Sequence, residues 1–285
     1  MKPGLFQYVR AENVEKAVSL LQEFGDEAQL LAGGQSLVPA MALRMALPEV
    51  LIDISSIAEM RSILMADGVL RIGAGCRYVD VLHSKDVARA APMLVQAIPF
   101  IAHEAIRNRG TIGGSLAHAD PASELPACML ALDAGIILQS ARGLRTIAAK
   151  DFFLGTYMTA LNDGEMIIAV EIPGIAANQH HRFSEISRRS GDYAISGGAF
   201  VLEMDAGIIT AARLAYFAVG DCAVLAGGEA LSGKPLNADT IEQVAQNVGE
   251  DITFYGDLYN GIGAKRQITK TLTRRLLAQF PGMEL

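Results

Sequence analysis

Two pairs of adjacent glycines, Gly33-Gly34 in LLAGGQSL and Gly113-Gly114 in TIGGSLAHADPASE, constrain this chain more than any other feature. Glycine has no Cβ, so it reaches φ > 0 and lets a ligand come against main-chain N–H groups that another residue would shield. Each pair follows a short strand-like run and precedes hydroxyl or amide residues, Gln35 and Ser36 in one case and Ser115 in the other. Convergent N–H groups at such turns form an anion nest, and two nests suit the two phosphates of a dinucleotide. Hydrogen bonds to charged acceptors contribute roughly 1.5–3 kcal/mol each, so about five would hold a pyrophosphate on neutral backbone alone, without lysine.

Glycine pairs are also ordinary punctuation, and Gly197-Gly198 and Gly227-Gly228 are assigned no ligand. The familiar nucleotide motifs fail on their residues. No glycine run ends in the Gly-Lys-Ser or Gly-Lys-Thr of a P-loop, and Gly73-Ala74-Gly75 begins a GxGxxG turn with Tyr78 in place of its third glycine. A pyrophosphate compound that is bound and not hydrolysed is the reading that survives.

Composition narrows the partners. A chain of 285 residues that is 51% apolar can bury a large core and should divide into two or three units. Its net charge of −7, with no dominant cluster of Lys and Arg, argues against nucleic acid. No apolar run is long enough to span a bilayer, and the opening MKPGLFQYVRAENVEK lacks an apolar signal core, so the expected location is the cytoplasm. Cys76, Cys128 and Cys222 are far apart with no CxxC pair, which predicts buried thiols and no zinc or iron–sulfur site in this chain.

The apolar spacing predicts a helix over 13–25, with Asn13 as N-cap and Gly25 as stop. A buried strand ending at Ala32 follows, then a turn at Gly33-Gly34, a helix capped by Ser36 with Pro39 in its first turn, and the strand VLIDI at 50–54. A second unit begins with VLRIGAG at Val69, includes the helix PMLVQAIPFIAHEAI, and ends after the strand MIIAVEIP at Pro173. GIAANQHH reads as a linker. HRFSEIS, YAISGGAFVLEM and IITAARLAYFAVG read as strands of a last α+β unit, with helices at 240–248 and 264–280.

In combination, LLAGGQSLVPAMALRMALPEVLIDI, IRNRGTIGGSLAHADPASELPA, LNDGEMIIAVEIP and SRRSGDYAI resemble the FAD-binding medium subunit of the molybdenum hydroxylases, the carbon monoxide dehydrogenase and xanthine dehydrogenase family. The blocks occur in the family's order over nearly the whole chain. The resemblance implies an α+β fold: a two-part FAD-binding domain of the vanillyl-alcohol-oxidase (PCMH) type, at 1–56 and 57–176, then a C-terminal α+β domain of the CO-dehydrogenase flavoprotein type at 177–285. It implies FAD here, with molybdopterin in a large partner subunit and [2Fe–2S] clusters in a small one. It further implies a dimer of heterotrimers that passes electrons from the clusters through FAD to an external acceptor.

By position in the motifs, Leu31, Ala32, Gly33, Gly34, Gln35, Ser36 and Leu37, with Thr111, Ile112, Gly113, Gly114 and Ser115, are expected to wrap the FAD diphosphate. Asp120 and Glu124 are expected at the cofactor hydroxyls, Ile101 and Leu161 against the flavin or adenine, and Ser187, Asp192 and Tyr193 near the isoalloxazine, where Tyr193 limits access. Ser187 stands where many relatives carry a Lys, and Ile101 replaces an aromatic. Loss of a cation disfavours an anionic reduced flavin, and Arg188 or Arg189 are the candidates to compensate.

No residue is expected to act as catalytic acid or base, because an electron-transfer flavin needs none. His103 and His118 are expected to be loop hydrogen-bonding residues, and His180-His181 linker surface. The basic residues Lys265, Arg266, Lys270, Arg274 and Arg275 of the last helix read as a solvated face or as a dock for an acidic partner. Competing functions are a stand-alone FAD oxidase, which needs its own substrate pocket, and a non-redox nucleotide-binding module.

Overall fold

The computed structural model describes residues 2–281. Its first unit is a three-stranded parallel sheet in which Val50–Asp53 lies between Gln7–Arg10 and Ala28–Leu31. The central strand is buried throughout, which accounts for its purely apolar start VLI. The helix Val14–Phe24 crosses between the strands. Asn13 caps it by accepting from the Lys16 amide at 2.8 Å, and Gly25, at φ 50°, ends it. The edge strand Gln7–Arg10 is largely exposed and short, so its residues carry no strand signal of their own.

The second unit is a five-stranded antiparallel sheet. Its order is Ile63–Ala66, Val69–Gly73, Met166–Pro173, Gly135–Ser140, Gly143–Ala148. Short helices fill the chain between Gly73 and Gly135. The expected long helix over PMLVQAIPFIAHEAI is broken into Pro92–Ala97, a 3-10 turn at Ile98–Phe100, and Glu104–Arg107. Pro99 cannot donate to an α-helix, and Ala102 turns the chain at φ 44°. Arg107 holds that turn through hydrogen bonds to the carbonyls of Ile101 (2.9 Å) and Ala102 (3.0 Å).

The last unit is an antiparallel sheet in the order Gln179–Ser187, Ala194–Asp205, Ile208–Phe217, Val224–Leu225, with helices Ala238–Asp251 and Ile262–Leu277. One face packs on those helices through Phe200, Leu202, Leu214 and Tyr216. The other face, with Phe183, Ala199, Val201 and Phe217, joins the core of the preceding units. The sheet is thus covered on both sides, with the helices Pro92–Ala97 and Glu124–Ala131 packed against its inner face. Gln96 closes that contact by bonding the His181 carbonyl and the Phe183 amide, at 3.3 and 3.0 Å.

Two expectations fail in this region. His180 and His181 belong to the strand and not to a linker, and alternation turns His181 inward until it is 3% exposed. The cations of the last helix are largely engaged within the chain: Lys265 is buried against the Ala218 carbonyl and Asp257, Lys270 bonds Gln246, and Arg274 grips Glu242. A broad basic docking face is therefore not presented. Among the described residues no helix is long and apolar enough to cross a membrane.

Candidate functional site

The first two units meet at a cleft of about 450 Å³. Leu31, Ala32, Gly33, Gly34, Gln35 and Thr111 line it, so the two glycine segments do come together. Gly33 lies so close to the other side that a Cβ there would overlap the Arg109 carbonyl and stand 2.9 Å from the Gly110 Cα. Gly34 takes φ 70°, which an L side chain rarely adopts. The Gln35 side chain folds back to donate to the Gly33 carbonyl at 2.8 Å. With the turn held this way, no main-chain amide from Ala32 to Leu37 donates to an acceptor among the described residues. Half-buried donors in such a run need an acceptor from outside the chain.

The second segment is built differently from the expected turn. Gly113 and Gly114 lie inside the helix Ile112–His118, with Thr111 as its N-cap, and neither has a positive φ. The Thr111 hydroxyl accepts from the Gly114 amide at 3.2 Å. The Ile112 and Gly113 amides donate to the carbonyls of Cys76 and Ala74. Gly113 is small because a Cβ would sit 2.5 Å from the Ala74 Cβ. Its glycine therefore serves close packing of helix on strand. Ser36 also departs from expectation: its backbone is already helical at φ −103° and ψ −47°, and its exposed hydroxyl makes no capping bond. An N-cap bond needs an extended backbone at that residue.

Charged groups that the sequence reading omitted complete the cleft. Arg61, Arg77 and Arg109 line it, with Asp53 and Ser55. Arg61 donates to the Ser55 carbonyl, while the guanidinium groups of Arg77 and Arg109 have no hydrogen-bond or ion-pair partner among the described residues. Burial alone would raise the Asp53 carboxyl, but hydrogen bonds from Tyr8 and Ser55 and the Arg10 charge hold it below its ordinary value. The cleft thus offers cations as well as backbone amides, where the motifs alone suggested neutral backbone. Arg109 was visible in IRNRG immediately before the glycine segment; nothing local marks Arg61 or Arg77.

The other predicted residues fall into separate groups. Asp120 is buried, accepts from the Ala122 amide at 2.9 Å and from the Tyr157 hydroxyl at 3.4 Å, and faces the phenol of Tyr193, whose ring stays exposed. Glu124 starts the helix Glu124–Ala131; loss of water around its carboxyl, with Asp120 nearby, pushes it up to about 7. Ile101 is buried at the Arg107-held turn, and Gly191 backs onto that turn, where a Cβ would come within 2.5 Å of the Ala102 carbonyl. The Ser187 hydroxyl bonds the Arg189 carbonyl at 2.9 Å, and Asp192 pairs with Arg188 at 3.6 Å. Arg188 also lies 4.3 Å over the Tyr259 ring, so it is held away from the role of a free compensating cation. Leu161 lines a different recess, of about 610 Å³, with Gln22 and Arg142. The His118 ring packs tilted, at 42°, against Tyr157 with centroids 4.9 Å apart.

A fold of two small α/β and antiparallel lobes around a donor-lined cleft, backed by a covered antiparallel sheet, defines a flavoprotein subunit. Family comparison agrees. Residues 4–175 match the family described as FAD binding domain in molybdopterin dehydrogenase, and residues 181–280 match the CO dehydrogenase flavoprotein C-terminal domain. The chain belongs to this family of FAD-binding medium subunits of molybdenum hydroxylases, and FAD is its cofactor.

Among relatives, the 6-hydroxypseudooxynicotine dehydrogenase complex subunit alpha of Paenarthrobacter nicotinovorans is 37% identical over 98% of this chain and 95% of its own length. The carbon monoxide dehydrogenase medium chain of Hydrogenophaga pseudoflava is 37% identical over 86% of each. A solved carbon monoxide dehydrogenase from Hydrogenophaga pseudoflava superposes with a TM-score of 0.95 at 36% identity, covering 97% of both chains.

Proposed function

We propose that this chain holds FAD between two partner subunits, receiving electrons from [2Fe–2S] clusters in the small one and releasing them to an external acceptor. The large partner carries molybdopterin and the substrate pocket, the whole is a dimer of heterotrimers, and it works in the cytoplasm. The observation that carries the FAD placement is the run of amides from Ala32 to Leu37 without acceptors, opening on a cleft with two unpartnered arginines. Bound there, the cofactor supplies the exchange between one-electron and two-electron carriers.

The chain's own residues have the following parts. Residues 31–37, Thr111 and Ser115 hold the diphosphate, with Ile112, Gly113 and Gly114 forming the helix end beneath. Asp120 and Glu124 take the cofactor hydroxyls, Ile101 and Leu161 pack on its rings, and Ser187, Asp192 and Tyr193 border the reactive face, Tyr193 limiting access. The working division is 1–56 and 57–176 for the two parts of the FAD domain and 177–285 for the C-terminal domain. Rapid mixing of the intact complex with its reducing substrate tests this: the clusters should bleach first and the flavin of this chain next. A flavin that remains oxidised while product forms refutes the role.

A further inference from the structure

The seam between the FAD-binding units and the C-terminal sheet holds a carboxyl group that the fold does not explain. Glu185 lies on the strand Gln179–Ser187, on the same face as His181 and Phe183, and is 9% exposed. Neither of its carboxylate oxygens has a hydrogen-bond partner. An unpaired buried carboxylate costs stability, so the position works against the fold unless a partner from outside the chain completes it.

The groups around it are few. The facing helix Pro92–Ala97 has no titratable residue, and its Gln96 is occupied by the backbone of His181 and Phe183, on the N-terminal side of Glu185. The helix Glu124–Ala131 contributes Glu124 and Cys128, with Asp120 and Tyr78 close to Glu124. On the paired strand Gly197 stands opposite and has no side chain. His181 is neutral, pushed down to about 4 by burial and the Arg213 charge, and Arg213 itself is engaged with the Ala131 carbonyl and Glu203. The cations of Ile262–Leu277 lie beyond the opposite face of the sheet. Among the described residues no cation pairs with Glu185. Burial, with the Glu124 charge added, pushes its carboxyl up to about 8, which favours the protonated form at neutral pH.

The Glu124 carboxyl beside Glu185 faces Asp120, two residues past the end of the helix Ile112–His118, and that helix starts at Thr111 on the border of the cleft. Seven residues of helix span about 10 Å, a length suited to a ligand with a diphosphate at one end and a heteroaromatic ring system at the other. We propose that Glu185 is a further residue of the FAD site, a neutral carboxyl that donates a hydrogen bond to an acceptor on the flavin ring. The assignment rests on the reading that FAD occupies this chain.

A group whose proton is held more tightly with the ligand bound adds affinity that is full below its free pKa and is lost as pH rises through the bound one. The test is FAD affinity of the stripped full chain, followed by flavin fluorescence between about pH 6 and about pH 10, for wild type, Glu185→Gln and Glu185→Leu. Thermal unfolding of each stripped chain runs beside it. Wild-type affinity should fall up to about tenfold per pH unit above about 8. Glu185→Gln keeps a donor and should bind as tightly as wild type at low pH, with that decline abolished. Glu185→Leu should weaken FAD on the order of tenfold at low pH while raising the stability of the stripped chain, a pairing that a merely structural role does not produce. Wild type that takes up FAD, with Glu185→Leu matching it at every pH, overturns the assignment alone. Wild type that takes up no FAD overturns the cofactor reading and the assignment with it.

Discussion

Residues 32–37 and residues 111–115 meet at one cleft, and they divide its construction between them. The first segment leaves its amides free and takes a positive φ at Gly34, so its backbone is presented to a ligand. The second commits the Ile112 and Gly113 amides to the turn that follows the strand Val69–Gly73 and the Gly114 amide to its own cap. We propose that the first acts as a receptor; the second is mainly a joint. Adjacent glycines thus mark close approach of something to the backbone, and only the surrounding hydrogen bonds tell whether that something is a cofactor or another part of the chain.

The largest effect expected from breaking this division is at Gly33. A methyl group there overlaps the Arg109 carbonyl, which is backbone and cannot rotate away, so Gly33→Ala should cost about 3 kcal/mol and abolish FAD retention. Gly34→Ala has only the tips of Leu31 and Val38 to displace, at 3.2 Å, but must hold φ 70°; about 1–2 kcal/mol is expected. Denaturant midpoints of the two variants check the ranking, and a Gly34→Ala loss larger than that of Gly33→Ala contradicts the packing argument.

The arginines sharpen the comparison from the ligand side. Arg77 and Arg109 have no side-chain partner among the described residues, so Arg77→Gln and Arg109→Gln should leave stability within about 0.5 kcal/mol of the parent. Each should weaken FAD about tenfold or more, the scale of one charge-assisted hydrogen bond. Titration of the stripped chain with FAD at low and high salt measures both the loss and the reduced salt dependence of the variants. Unchanged affinity in both variants would return the diphosphate to backbone donors alone.

Much of this was legible in the sequence because local chemistry stated it. Asn13 and Gly25 bound their helix by a cap and a positive φ, and the glycine segments reached the same cleft as the motif order implied. What escaped depends on contacts distant along the chain. Arg61 and Arg77 reach the cleft only because the end of the strand Val69–Gly73 and the turn after it set Gly73 and Gly75 against the Met60 backbone, where any Cβ would crowd it. Glu185 looks like a surface acid in HRFSEIS until the sheet is known to be covered on both faces. Ser36 and Thr111 show the limit most plainly, since both are hydroxyls beside a helix start and only the backbone conformation separates them.

That pair yields the smallest predicted difference and the cleanest one. Thr111 has the extended backbone of a true N-cap, φ −120° and ψ 154°, and its hydroxyl meets the Gly114 amide; Thr111→Val removes that acceptor and should cost about 1 kcal/mol. Ser36→Ala removes no bond within the chain, so the stripped protein should unfold within a few tenths of a kcal/mol of the parent. The same two variants titrated with FAD ask the complementary question. If residues 32–37 are the receptor, Ser36→Ala weakens FAD with no change in stability, because its exposed hydroxyl is available only to a ligand. Thr111→Val should change both quantities, since its hydroxyl borders the cleft and supports the helix that forms the cleft's wall. Equal stability losses in the two would mean that Ser36 caps its helix in solution after all, and the distinction between receptor and joint would have to be drawn at the glycines alone.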